Sequence, residues 1–399
     1  MMKGRKIVLG VTGGIAAYKA AELVRELVRA GAQVHVIMTK SAREFIAPLT
    51  FTTLSGNPVT TELFNLVEES EIGHISLADR ADVFVIAPAT ANIIGKIASG
   101  IADDMLSTVV MATKAPVLIA PAMNVHMWEN PICQENITRL RARGYHFVEP
   151  ESGELACGYE GKGRLAEIAG IVEEIHSLLS PKDFKGETVL VTAGPTEEPI
   201  DPVRFITNRS SGKMGLALAR TAYRRGAEVV LVSGPSSLPI PRNVNYIQVR
   251  SAEEMREAVM KTLERSSILL MAAAVSDYRP PQAAPEKIKK LTAATTLSLE
   301  RTPDILREAG KKKAGRIFVG FAAETENLLR NAKEKMKRKN LDLIVANDVS
   351  QPGAGFEVDT NIVKIIHRSG KVEKLPLMTK EEVADQILDR VAKLIRKNE

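Results

Sequence analysis

Short β-branched runs alternate with longer segments of helical spacing through most of this chain. Residues 6–11, Lys-Ile-Val-Leu-Gly-Val, read as a buried strand. The turn Thr12-Gly-Gly14 follows, then an Ala-rich segment over 16–29 with Leu23, Leu27 and Val28 on helical spacing. Gly31 closes that segment, and 33–38 predicts a second strand. Strand, glycine turn, helix, strand is a βαβ unit; it implies a parallel sheet and sets Gly13 and Gly14 at a helix N-terminus. The runs at 81–87 and 116–120 repeat the pattern. A helix over 165–179 then gives way to Pro181-Lys-Asp-Phe-Lys-Gly186, and the strand 188–193 restarts the opening architecture. Further strands are predicted at 228–232, 267–274, 317–325, 343–348 and 361–366, with a closing helix over 379–397. The pattern predicts α/β architecture in two domains, 1–180 and 187–399, joined by a polar linker over 181–186.

Polar groups gather where the strands end. The run at 81–87 stops at Pro88-Ala-Thr-Ala-Asn92, and the run at 116–120 stops at Pro121-Ala-Met-Asn-Val-His-Met-Trp128. Ligands in open α/β sheets bind just beyond the carboxyl ends of strands, so these segments predict a site. Packing of the methionines and Trp128 in the core is the competing use of the same residues. The Gly13 turn is not G-x-G-x-x-G, and Thr39 and Ser41, not an acidic residue, follow the second strand. NAD is thereby disfavoured, while FMN or another phosphate ligand stays open. Residues 152–164 carry glycines at 153, 158, 161 and 163 around Cys157, which predicts a mobile loop, either a flap that closes the thiol over a substrate or a surface loop with an incidental Cys.

In the second half, prolines at 195, 199 and 202 predict an extended loop. Residues 203–215 are rich in Gly, Ser and Lys but lack the glycine spacing of a P-loop. Backbone N–H groups over 210–212 are candidates for holding an anion, with Arg204, Asn208 or Lys213 assisting. The small residues of Ala272-Ala-Ala-Val-Ser-Asp277 would admit a flat base or a ribose. The lysine-rich runs at 286–290 and 333–339 read, on charge alone, as solvated faces.

Composition narrows the class. A chain of 399 residues exceeds one ordinary core, and 45% hydrophobic with 26% charged residues is globular. Aromatics at 4% argue against nucleic-acid stacking platforms. The net charge of +6 suits anionic small molecules but is too dispersed to indicate nucleic acid. Cys133 and Cys157 alone make no disulfide framework. No signal peptide and no apolar run near the ~20 residues of a membrane span is apparent, so a soluble cytoplasmic protein is expected.

Several long motifs in one order resemble a known family. They are Gly13-Gly-Ile-Ala-Ala-Tyr-Lys19, His74, Pro121-Ala-Met-Asn-Val-His-Met-Trp128, Ala156-Cys-Gly158, Asp201-Pro-Val-Arg-Phe-Ile-Thr-Asn208, Ser210-Ser-Gly-Lys-Met-Gly215 and Phe321-Ala-Ala-Glu-Thr325. The chain resembles, over nearly its whole length, the bacterial bifunctional phosphopantothenoylcysteine decarboxylase / phosphopantothenate–cysteine ligases of coenzyme A biosynthesis. That resemblance implies two three-layer domains, an N-terminal flavodoxin-like FMN-binding decarboxylase and a C-terminal Rossmann-like ligase using CTP and Mg²⁺. It departs at Glu197, where the family more often has Arg, and at Ser276, where Ala is common.

By the resemblance, FMN lies on Gly13, Gly14, Ile15, Thr39, Ser41, Ala89, Thr90, Asn92 and Ala122. His74, Asn124 and Cys157 carry the decarboxylation, and His126 is not among the catalytic groups. CTP lies on Met271, Ala272, Ala273, Asp277, Lys287, Pro303, Asp304, Ile305, Leu306, Phe321, Lys335 and Lys339, with Asp277 also toward the metal. Asn208 and Arg204 serve the acyl-cytidylate intermediate. The resemblance also implies a homo-oligomer, a dodecamer through the decarboxylase domains with dimers through the ligase domains. A flavin-binding regulatory relative would lack the His or the flap Cys, and both are present here.

Overall fold

Lys6–Val11 (β1) runs through the interior of a parallel sheet, and every residue in it after Lys6 is buried. Strands covered on both faces are continuously apolar for this reason, which is why the period of two is missing from its sequence. The computed structural model describes residues 2–63, 73–154, 158–289, 296–324, 328–348, 355 and 358–398. The chain divides into two units, Met1–Ser180 and Pro181–Glu399.

In the first unit β1 leads to α1 (Ala17–Arg29), β2 (Gln33–Met38), α2 (Pro48–Ser55), β3 (Val59–Thr60), α3 (Gly73–Arg80) and β4 (Val83–Ala89). Next come α4 (Ala91–Ser99), α5 (Met105–Ala112), β5 (Val117–Pro121), α6 (Val125–Glu129), α7 (Pro131–Ala142) and β6 (His146–Phe147). A hairpin of β7 (Glu151–Glu154) and β8 (Glu160–Arg164) precedes α8 (Ile168–Leu179). The sheet order is β3-β2-β1-β4-β5-β6, and each neighbouring pair is parallel. With the two-residue edge strand β3 set aside, this is the flavodoxin-like order, whose winding reverses between β1 and β4. Leu23, Phe51 and Ile171 of α1, α2 and α8 pack on Ile7, Leu9 and Val85. Ile94, Leu106 and Ile137 of α4, α5 and α7 pack on Val8, Phe84 and Ile86 from the other face. Each such fully buried side chain contributes roughly 1.5–3 kcal/mol of transfer free energy.

The second unit opens with β9 (Thr188–Ala193), β10 (Glu197–Pro199), β11 (Phe205–Thr207), α9 (Lys213–Arg224), β12 (Glu228–Ser233) and β13 (Asn245–Gln248). It continues through α10 (Ala252–Leu263), β14 (Ile268–Met271), β15 (Tyr278–Arg279), β16 (Glu300–Arg301), α11 (Ile305–Lys311), β17 (Ile317–Glu324), α12 (Leu328–Arg338) and β18 (Leu343–Asp348). Then follow β19 (Thr360–Asn361), β20 (Val363–His367), β21 (Val372–Lys374), β22 (Met378–Thr379) and α13 (Lys380–Asn398). The main sheet runs β13-β12-β9-β14-β17-β18-β20-β21, parallel through β18 and antiparallel at β20 and β21. Its parallel part has the Rossmann order, reversing between β9 and β14. Helices α9 and α13 cover one face, and α10, α11 and α12 the other.

Residues 181–186, expected as a polar linker, carry one side chain of the second unit's core. Phe184 is fully buried in the second unit's core under the Arg225 guanidinium, 5.0 Å from its ring centroid. Asp183 accepts from Arg225 Nε and Nη2 at 2.9 and 2.6 Å. The glycine-rich stretch 152–164, expected as a mobile loop, instead forms the β7–β8 hairpin on both sides of residues 155–157, which lie outside the described residues.

Candidate functional site

In the first unit the reversal of winding between β1 and β4 opens a crevice at their carboxyl ends. Thr12 joins the two edges: its buried hydroxyl donates to the Pro88 carbonyl at 2.7 Å and accepts the Thr90 N–H at 3.1 Å. Only glycine fits at position 13, because a Cβ there would stand 2.4 Å from the Cβ of Ser41. Gly14, by contrast, faces open space apart from a Thr90 methyl at 4.0 Å. Ala16 is the N-cap of α1, so no side chain competes for the N–H groups of that helix's first turn. A cavity of about 890 Å³ lies against them.

Gly13, Gly14, Ile15, Thr90 and Ala122 of the expected flavin set line that cavity, with Met123, Asn124 and Met127. The other four do not line it. Ala89 is fully buried and its carbonyl receives the Ala122 N–H at 3.0 Å. Ser41 backs Gly13, Thr39 caps the turn that follows by accepting from Ala42 N–H at 3.3 Å, and Asn92 is exposed in the first turn of α4. Asn124 caps α6, its Oδ1 accepting the His126 N–H at 2.8 Å. The His126 ring meets Tyr159 edge-on, centroids 5.2 Å apart. Lys19, Glu154, Gly158 and Arg164 also line the cavity. Arg164 was missed because its run of alternating glycines carries no hydrophobic pattern. His74 is in the first turn of α3 with its side chain outside the described residues, and Cys157 lies outside them altogether. A helix N-terminus without a capping side chain beside Gly14, the Thr90 edge and a cavity of this size fit a flavin mononucleotide.

The second unit has its own crevice. A cavity of about 580 Å³ beyond β14 and β17 is lined by Met271, Ala273, Asp277, Pro303, Asp304, Ile305, Leu306, Phe321, Lys335 and Lys339 of the expected nucleotide set. Ala272 points instead to a neighbouring cavity of about 70 Å³ with Gly212, Asn347 and Lys380. Lys287 is exposed and lines neither. Asp304 caps α11, accepting from the Arg307 N–H at 3.1 Å, and pairs with Lys339 at 2.8 Å. Burial pushes its carboxyl upward, but the Lys339 ammonium, the Arg307 N–H and the nearby Arg338 together hold it below the ordinary value. Lys335 donates to the Phe321 carbonyl at 2.7 Å. The run at 333–339 is therefore not a uniformly solvated face, because Ala332 and Met336 bury one side of α12. Arg301, Thr302, Arg307 and Arg338 also line the cavity, and flank positions already singled out.

Asn208 stands just outside, its Nδ2 donating to the Ala274 and Val275 carbonyls at 3.3 and 3.0 Å. Gly212 caps α9 with φ +80°, a left-handed conformation that favours glycine. Lys213 pairs with Asp359 at 2.7 Å. Burial and the nearby Lys213 push the Lys380 amine down to about 8. Glu197 accepts from Arg250 Nε at 2.9 Å, so its reversed charge is matched within the fold. Among the described residues no group of three or more His, Cys, Asp or Glu side chains is placed to hold a metal. Asp277 is an exposed carboxylate on the wall of the larger cavity.

Comparison with known proteins gives the same division. The Flavoprotein family model matches residues 1–180, and the model for the DNA/pantothenate metabolism flavoprotein C-terminal domain matches 184–395. The coenzyme A biosynthesis bifunctional protein CoaBC of Bacillus subtilis (strain 168) is 51% identical over 99% of this chain and 98% of its own. The chain belongs to the CoaBC family. A crystal structure of a CoaBC C-terminal domain is 42% identical, covering 54% of this chain and 99% of its own, with a TM-score of 0.47. A PPC decarboxylase variant in complex with pantothenoylaminoethenethiol is 31% identical over 43% of this chain and 97% of its own, with a TM-score of 0.39. As a CoaBC-family protein, the chain is a bifunctional enzyme of coenzyme A biosynthesis, with a decarboxylase in its flavoprotein unit and a ligase in its second. No described helix is long and apolar enough to cross a membrane.

Proposed function

We propose that the second unit joins cysteine to phosphopantothenate with CTP and Mg²⁺, and that the first unit decarboxylates the phosphopantothenoylcysteine so formed. In the ligase, the phosphopantothenate carboxylate attacks the α-phosphorus of CTP and pyrophosphate leaves. The amine of cysteine then attacks the acyl carbon and CMP leaves. Charge builds on phosphate oxygens in the first step, which calls for fixed cations. Lys335, Lys339 and Lys287 would take that part, and Asp277 would hold a Mg²⁺ that neutralises phosphate charge; Asn208 would hold the acyl-cytidylate, and Arg204 would assist its conversion. What supports this assignment is the convergence of ten of the expected nucleotide residues, two of them lysines, on one cavity at the β9/β14 reversal.

In the decarboxylase, Gly13, Gly14, Ile15, Thr90 and Ala122 hold FMN from the cavity wall, with Thr39, Ser41, Ala89 and Asn92 shaping the loops behind. Bound FMN supplies a two-electron oxidation of the cysteinyl thiol and later returns the electrons, so that no net redox change results. His74 positions or deprotonates the substrate beside the flavin, Asn124 fixes the carboxylate that leaves as carbon dioxide, and Cys157 returns a proton to the carbon centre. The protein works in the cytoplasm as a homo-oligomer, a dodecamer through its decarboxylase domains with dimers through its ligase domains.

Full-length protein supplied with FMN, phosphopantothenate, cysteine, CTP and Mg²⁺ tests both halves. Pyrophosphate and carbon dioxide are expected in equal amounts from a yellow protein. Pyrophosphate without carbon dioxide would remove the decarboxylase assignment, and equal rates with ATP in place of CTP would remove the nucleotide assignment.

A further inference from the structure

Between β10 and β11 the chain makes a tight loop around one carboxylate. The Asp201 side chain is fully buried. Its Oδ1 accepts the N–H groups of Val203 at 2.9 Å and Arg204 at 2.8 Å. Its Oδ2 accepts from Arg204 Nε at 3.0 Å, from Arg204 Nη2, and from the Ile288 N–H at 3.2 Å. Arg204 Nη2 also donates to the Ile288 carbonyl at 2.8 Å. A further bond, Ala284 N–H to the Ile200 carbonyl at 2.9 Å, fastens the same two segments. Lys287 therefore sits on a short stretch tied down at both ends, and each tie leads to the loop that presents Arg204. Asn208 lies at the far end of β11 and bonds to the carbonyls that follow β14.

A carboxylate buried this deeply costs several kcal/mol unless its oxygens are well matched, and here the matching groups belong to two segments 84 positions apart. We propose that Asp201 is a positioning residue of the ligase, which orients the Arg204 guanidinium through its two-nitrogen contact and docks the Lys287 segment through Ile288. One carboxylate thus sets two cations that sequence alone leaves unrelated. The inference rests on the assignment of Arg204 and Lys287 to ligase chemistry made above.

The test is a double-mutant cycle on the ligase reaction in the full-length protein, with the decarboxylase reaction as internal control. Arg204→Ala, Asp201→Asn and the double variant are compared by kcat and KM for phosphopantothenate and CTP. Removing a hydrogen-bond partner from a charged group changes rates by roughly tenfold to a hundredfold, and Asp201→Asn is expected to lower kcat/KM by that much. The double variant should lose clearly less than the product of the two single losses, because the part of the Asp201 effect that runs through Arg204 disappears with the guanidinium, while the part that docks the Lys287 segment remains. Losses that multiply would overturn the proposal, as would a fully active Asp201→Asn. Arg204→Lys gives a second check that leaves the carboxylate in place. Lysine keeps the charge but not the two-nitrogen fork, so it should lose nearly as much as alanine. Full activity with lysine would overturn the positioning role. Full activity with Arg204→Ala would instead remove the assignment of Arg204 itself, and this inference with it.

Discussion

A Cβ on Gly163 would stand 2.3 Å from the carbonyl oxygen of Met123, and the Gly163 carbonyl accepts the Met123 N–H at 3.0 Å. The β7–β8 hairpin is thereby docked, backbone to backbone, against the residue before Asn124. Gly163→Ala is expected to displace the hairpin from the cavity wall and to lower decarboxylase turnover by about tenfold or more, since no flexible side chain is available to yield. Ligase activity, measured on the same preparation, should stay at the wild-type rate. A decarboxylase unaffected by this substitution would show that the docking does not matter.

Asn124 serves two functions that can be separated. Its Oδ1 caps α6 through the His126 N–H, and the proposed role gives its side-chain amide the substrate carboxylate. Asn124→Asp keeps a good capping acceptor and removes the amide donors. Thermal stability is expected to hold within roughly 0.5 kcal/mol while decarboxylation falls about a hundredfold or more. Equal decarboxylation rates for the two proteins would assign Asn124 to capping alone.

Phe184 gives the boundary between the units a measurable weight. Because it is fully buried beneath Arg225, Phe184→Ala should destabilise the second unit by about 3–5 kcal/mol. Denaturant unfolding followed by ligase activity reads the loss. A change under about 0.5 kcal/mol would mean that residues 181–186 behave as a free tether after all.

A pH-sensitive pair joins β21 to α13. Arg390 draws the Glu373 carboxyl down to about 2, with His367 and Lys371 adding to it against the opposing effect of burial. A carboxyl depressed on folding contributes stability above its unfolded value and loses it as the pH falls toward the folded one. The gap in stability between wild type and Glu373→Gln should therefore be full at neutral pH and close between roughly pH 4.5 and 2. A gap independent of pH would mean the two residues are not coupled through charge.

The sheets were legible in the sequence because the middles of their strands are covered on both faces and so stay apolar, as 189–191 and 343–346 illustrate. The cavities were legible where a strand end carried polar or small residues. Less visible were features that depend on what lies opposite. The hairpin at 151–164 is held by missing Cβ atoms against Val125 and Met123, and glycine alone reads as a loop. Phe184 is one apolar residue in a polar stretch, and its burial depends on Arg225, which nothing nearby in sequence announces. Lys287 and the nucleotide cavity were grouped by resemblance, yet the structure places Lys287 on the segment held by Asp201.

The lysines near the end of α12 form two chemical populations. Lys335 and Lys339 are one turn apart, partly buried, and engaged by the Phe321 carbonyl and the Asp304 carboxylate. Lys333 and Lys337, on the same stretch, face solvent. An amine-directed acylating reagent should label 333 and 337 first, and nucleotide in the cavity should widen that difference. Four amines indistinguishable by composition would then report, by their rates of labelling, whether the ligase site is filled.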